Sequence, residues 1–129
     1  MSWPAALLAL LVSHLVGDFL FQTEPQALGK RGGLADARGR RLLLTHLAYY
    51  MAAFIPALVW IGVETSAARA VAVAVVVAIP HVLIDDGWFV GVWLREVKRA
   101  HNPDIGLRIA VDQSFHVVCL LGAALIAAA

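Results

Sequence analysis

Residues 70–85 read Ala70-Val-Ala-Val-Ala-Val-Val-Val-Ala-Ile-Pro80-His81-Val-Leu-Ile-Asp85. From Ala70 to Ile79 there is no polar side chain, so a helix over this stretch offers water no face to meet. His81 and Asp85 then follow at i and i+4, which stacks them on one face of that helix. Ionisable groups inside an apolar span are costly, and their default reading is a functional site. Two other stretches carry the same pair, as His14/Asp18 and as Asp112/His116.

The composition agrees with a membrane origin for these runs. Of 129 residues, 61% are hydrophobic and 15% charged, outside the usual soluble balance. Four apolar runs stand out: Trp3 to Phe21, Leu42 to Gly62, Ala70 to about Leu94, and Leu107 to Ala128. A helix needs about 20 apolar residues to cross the hydrocarbon core, and each run is long enough. The expected fold is all-α: a polytopic membrane protein with four transmembrane helices in one domain, residues 1–129. A water-soluble four-helix bundle is excluded by residues 70–79 and 117–129, which lack a polar face. A cleaved signal peptide is disfavoured because a basic leading region is missing and His14 and Asp18 fall where small residues belong.

Loop charge sets the orientation. Lys30, Arg31, Arg38, Arg40 and Arg41 crowd the first connection, and Arg95, Lys98, Arg99 and Arg108 surround the third. The middle connection holds only Glu64 and Arg69. The positive-inside rule then places the first and third loops in the cytoplasm and both termini outside. Membrane lipids account for the basic loops, and no nucleic acid is expected. Gln22 to Arg41, with its glycines and Pro25, reads as a surface connection. Asp104 is an expected N-cap for the fourth helix, and His101 a solvated loop residue. The single Cys119 excludes an internal disulfide and reads as a small buried hydrophobe.

The order of the pairs carries more than their presence. Helices one and three enter the membrane from outside and read His then Asp. The fourth runs the other way and reads Asp then His. All three pairs are therefore oriented alike, with Asp toward the cytoplasm and His about 6 Å deeper. Helix two contributes His46 and Tyr50, again at i and i+4. One layer would hold Asp18, His46, Asp85 and Asp112, and a deeper one His14, Tyr50, His81 and His116. Trp88, Phe89 and Trp93 suggest that the end of the third run lies along the interface, with a bend at Pro80. The near-equal spacings from His14 to His46 and from His81 to Asp112 hint at a repeated hairpin.

Magnitudes argue against an idle cluster. A central Asp is priced at about 2.5–3.5 kcal/mol on insertion scales, so three cost roughly 7–10 kcal/mol. Whole-protein stability is only about 5–15 kcal/mol. The carboxylates must be protonated, paired or bound to a cation. Asp86 points roughly 140° from His81 around the helix and is expected at the interface or behind the site.

The chain resembles a family of small bacterial membrane proteins known as domain-of-unknown-function family 3307. The likeness rests on His14-Leu-Val-Gly-Asp18-Phe19-Leu-Phe-Gln22-Thr23, on His46, on His81-Val-Leu-Ile-Asp85 and on Asp112-Gln113-Ser-Phe-His116. It implies a multi-pass protein of the bacterial inner (plasma) membrane. Family members often carry a Lys after the third-helix Asp, where Asp86-Gly87-Trp88 stands here. A looser similarity links the pattern to inner-membrane metal-dependent hydrolases and intramembrane metal proteases, which also spread His and acidic residues over several helices.

Imidazole and carboxylate suit a divalent metal, with zinc first and manganese or iron as alternatives. The candidate ligands are His14, Asp18, His46, His81, Asp85, Asp112 and His116, with His14, His81 and His116 at the core. In a hydrolase, Asp18, Asp85 or Asp112 would act as ligand or general base, and His46 or Tyr50 as proton donor. Gln22 and Gln113 would orient the carboxylates around the metal. The expected substrate is a lipid-linked ester or phosphoester, or a membrane peptide. Proton or metal-ion transport or sensing is the alternative, and four short helices would need a homo-oligomer to wall a pore. A structural His-Asp scaffold is the third reading, with His46 the member most readily assigned to packing.

Overall fold

The computed structural model describes residues 1–129. Every regular element is helical: α1 (Trp3–Leu15), a π-helical turn (Val16–Phe21), α2 (Glu24–Gly29), α3 (Ala37–Glu64), α4 (Ala67–Asp85), α5 (Trp88–Glu96) and α6 (Ile105–Ala128). Four stretches are long and apolar enough to cross a membrane: Trp3–Phe21, Ala37–Glu64, Ala67–Asp85 and Ile105–Ala128. Their outward faces are apolar too, with Leu8, Ile55, Val63, Val71 and Val118 more than half exposed. In water that would be one continuous apolar surface, far beyond what soluble monomers present. Lipid is the solvent that suits it.

The spans form a ring in which α1 and α4 each pack against both α3 and α6. Inside, the ring divides into two halves. Leu10, Phe54, Ile61, Val73, Leu120 and Ala124 belong to a fully apolar core. The half nearer α2 and α5 is polar, and holds buried His14, Asp18, His46, His81, Asp85 and His116.

Local chemistry fixes the ends. Asp36 caps α3 by accepting from the Arg38 and Gly39 amides, Ser66 caps α4, and Asp104 caps α6 through the Leu107 amide at 2.8 Å, as expected. Pro56 and Pro80 lie inside α3 and α4, which continue through them. The bend expected at Pro80 thus leaves the helix unbroken, as neighbouring spans allow. The real break comes at Gly87, whose φ of 82° is the left-handed conformation that glycine tolerates. The third apolar run is therefore two elements, and α5 packs on α4 and α6 through Val90 and Leu94 beside Ile84 and Val111.

The first connection differs from its sequence reading. Thr23-Glu24-Pro25-Gln26 closes a capping box that starts α2, with Pro25 in the first turn, where its missing N–H is harmless. The chain then docks onto the end of α4. The Gly32 amide donates to the Asp86 carbonyl at 2.7 Å, and the Leu34 amide to Asp86 Oδ1 at 2.9 Å. The connection is a folded cover over the polar half.

A candidate metal centre in the polar half of the bundle

The π turn delivers the first carboxylate. It follows α1 directly, carries Asp18, and brings Gly17 so close to α3 that an added Cβ would lie 2.6 Å from Tyr50 Cδ2. π turns are uncommon and concentrate at functional sites. Asp18 Oδ1 lies 3.3 Å from His46 Nε2, and Asp18 Oδ2 is 3.8 Å from His14 Nδ1.

The hydrogen bonds assign the protons. Gln113 Oε1 is 2.8 Å from His14 Nε2, while its amide donates to Asp18 at 3.1 Å and Asp112 at 3.2 Å. An oxygen there only accepts, so His14 carries its proton on Nε2, and Nδ1 accepts from the Tyr50 hydroxyl at 3.0 Å. On α6, His116 Nδ1 lies 3.0 Å from the Asp112 carbonyl and must donate to it. In a neutral His116 this Nε2 accepts from His81 Nδ1 at 3.0 Å, which leaves the lone pair of His81 on Nε2. His46 Nε2 lies 3.1 Å from the Gln22 amide nitrogen and 3.3 Å from Asp18 Oδ1, and His46 Nδ1 is buried with no partner.

The two Nε2 atoms meet. His81 Nε2 and His46 Nε2 are 3.2 Å apart, and each is 3.1 Å from Asp85 Oδ2. Two imidazole nitrogens and a carboxylate oxygen that converge in a buried space need a proton or a cation among them, and the Lys30 ammonium already pairs with that oxygen. Ligands about 2.0–2.1 Å from a tetrahedral zinc are roughly 3.3 Å apart, close to this spacing. Asp18 Oδ1 and Asp85 Oδ1 are also buried without hydrogen bonds. His46, His81 and Asp85 form one of three groupings able to hold an ion; the others are Asp18/His81/His116 and Asp85/Asp112/His116. The donor set fits a divalent metal.

Each site residue expected from the sequence lies in or beside this cluster, with altered emphasis. His46, which had most readily been assigned to packing, joins Gln22, Asp18, His81 and Asp85. Gln113 orients carboxylates as expected, whereas Gln22 serves His46 instead. Asp112 is half-buried at the edge, 3.4 Å from His116 Nδ1. His14 and Tyr50 lie on the far side, with Tyr50 stacked on His81 at a ring separation of 3.6 Å. His101 is exposed. Cys119 is half-buried and lines a mostly apolar recess with Pro80, Phe89 and Asp86.

Lys30 was read from the sequence only as one of the basic residues of the first connection. Its ammonium lies 2.6 Å from Asp85 Oδ2, and the pair is buried. The signal available was the Thr23–Gln26 capping box, which announces a helix just before it. A cavity of about 210 Å³ opens beside this pair and reaches Asp18, Asp85 and Asp112.

Residues 6–128 match the family described as "Protein of unknown function (DUF3307)". The chain belongs to this family. No curated protein and no solved structure matches it. Within the DUF3307 match lies every residue of the cluster, from His14 to His116, so the fold and the polar site belong to one family unit.

Proposed function

We propose that this inner-membrane protein holds a divalent metal on His46, His81 and Asp85 and hydrolyses a membrane-embedded ester or phosphoester. The carrying observation is the convergence of His46 Nε2, His81 Nε2 and Asp85 Oδ2 at 3.1–3.2 Å. The basic first and third connections lie at the same end as the cluster, which favours a cytoplasmic site and both termini outside. Zinc is the first choice of metal for a mixed imidazole-carboxylate set. A metal here would supply Lewis acidity and lower the pKa of bound water to about 7.

The chain's own residues divide the remaining work. Asp112 lines the cavity, stays half-buried and is outside the tight trio, so it is the carboxylate free to accept a proton from water. Gln113 holds it and Asp18 in place. Tyr50 and His46 do not line the cavity, which leaves the leaving-group proton to Asp112 after it has taken one. The net reaction adds water across the ester: the acyl or phosphoryl centre gains the oxygen, and the alcohol leaves with the proton.

Elemental analysis of detergent-purified protein tests the reading. Near-stoichiometric metal in wild type and His101→Ala, lost in His81→Ala and Asp85→Asn, is the expected pattern. Asp112→Asn should retain metal while hydrolysis of short-chain ester and phosphoester amphiphiles falls about 100-fold or more. Folded protein that stays metal-free after reconstitution would reject the hydrolase. It would favour a structural network, the reading supported by the buried Lys30–Asp85 pair.

A further inference from the structure

The cavity beside the cluster has three kinds of wall in a definite order. Its buried end presents Asp18 and Asp85, two carboxylates with unpartnered oxygens. Its α2 side presents Lys30 and Arg31. Its exposed end presents Phe19, Leu28 and Ile105, all more than half exposed, and Ile109 beside them. Leu28 belongs to α2, outside the four spans, so this apolar rim sits where the bundle ends. The space of about 210 Å³ is below the roughly 300–1,000 Å³ of pockets that engulf a whole small molecule. It suits a head group whose chains stay outside.

We propose that this cavity binds the phosphomonoester head group of a membrane lipid, with Lys30 and Arg31 holding the phosphate oxygens and the acyl chains leaving past Phe19 and Ile109. The inference rests on the divalent-metal reading and names the substrate class of that same site. Charge balance makes the link. Three carboxylates against two bases leave the cavity negative and hostile to an anion. One divalent cation reverses the sign. Held by His46, His81 and Asp85, it would compete with the Lys30 ammonium for the Asp85 carboxylate and so free Lys30 to meet an anion. Arg31 is exposed, its stem lying across Gly87, and its fork suits a phosphate directly.

The test uses the full chain in detergent, with and without Zn²⁺, and with metal content measured in every sample. Calorimetric titration compares dihexanoyl phosphatidic acid with dihexanoylglycerol and with inorganic phosphate. The zinc-loaded protein should bind the lipid phosphate at least about tenfold more tightly than either comparison, and the metal-free protein should lose that preference. Lys30→Met also strips Asp85 of its partner, so two variants at exposed side chains carry the test. Arg31→Gln and Ile109→Trp should each weaken lipid-phosphate binding about tenfold with metal content unchanged. Equal binding of dihexanoylglycerol would mean apolar adsorption, and equal binding of inorganic phosphate a free-anion site; either overturns the proposal. Zinc-loaded variants that bind like wild type would also overturn it. Absence of bound zinc in the wild type would instead overturn the metal reading on which it stands.

Discussion

Gly17 shows how tightly the site is built at the level of single residues. Its Cα passes so near α3 that a methyl group would meet Tyr50 Cδ2 at 2.6 Å and Tyr50 Cα at 3.2 Å. The Tyr50 ring cannot yield freely, because it stacks on His81 and its hydroxyl serves His14. Gly17→Ala should therefore destabilise the protein by about 1–3 kcal/mol, the usual range for overpacking. Gly91→Ala is the control: no atom lies within 4 Å of its added Cβ, and it should be neutral or slightly stabilising. Thermal unfolding in detergent checks both. A Gly17→Ala protein that melts with wild type would mean that the close approach is slack.

At the scale of elements, the cover formed by α2 and its following turn depends on few contacts. Asp86 contributes two of them, one through its carbonyl and one through its side chain. Asp86→Ala removes only the second, a loss of about 1 kcal/mol, or roughly fivefold in local opening. Limited trypsin cleavage at Arg31 should accelerate by about that factor; an unchanged rate would show that the turn is held elsewhere. This element also marks the boundary of what the sequence could convey. His14/Asp18, His81/Asp85 and Asp112/His116 were legible because helical periodicity alone puts each pair on one face. Lys30 pairs with a residue of another element, 55 positions along the chain, and no local pattern encodes that. His46 lacks a carboxylate one turn away, so its centrality arises only when Gln22, Asp18 and Asp85 arrive from elsewhere. The π turn was hidden for a related reason: tight packing against Tyr50 overrides the regular helix that the sequence suggests.

At the scale of the whole molecule, the interior divides into a polar and an apolar half. Beyond His14, His81 and His116 the interior is apolar, with Leu10, Phe54, Ile61 and Ala124 filling it. Within one chain that half offers an ion no polar continuation, which supports the one-sided metal site proposed above. The division also explains why buried carboxylates are tolerated. They are concentrated where imidazoles, amides, Lys30 and a cation can satisfy them, while the remainder of the bundle packs like an ordinary membrane core. X-ray absorption at the metal edge of purified, detergent-solubilised protein tests this most directly. Nitrogen and oxygen ligation with two imidazoles, lost on His81→Ala and retained in His101→Ala, is the expected result. A metal with sulfur ligands, or one whose spectrum ignores His81→Ala, would contradict it.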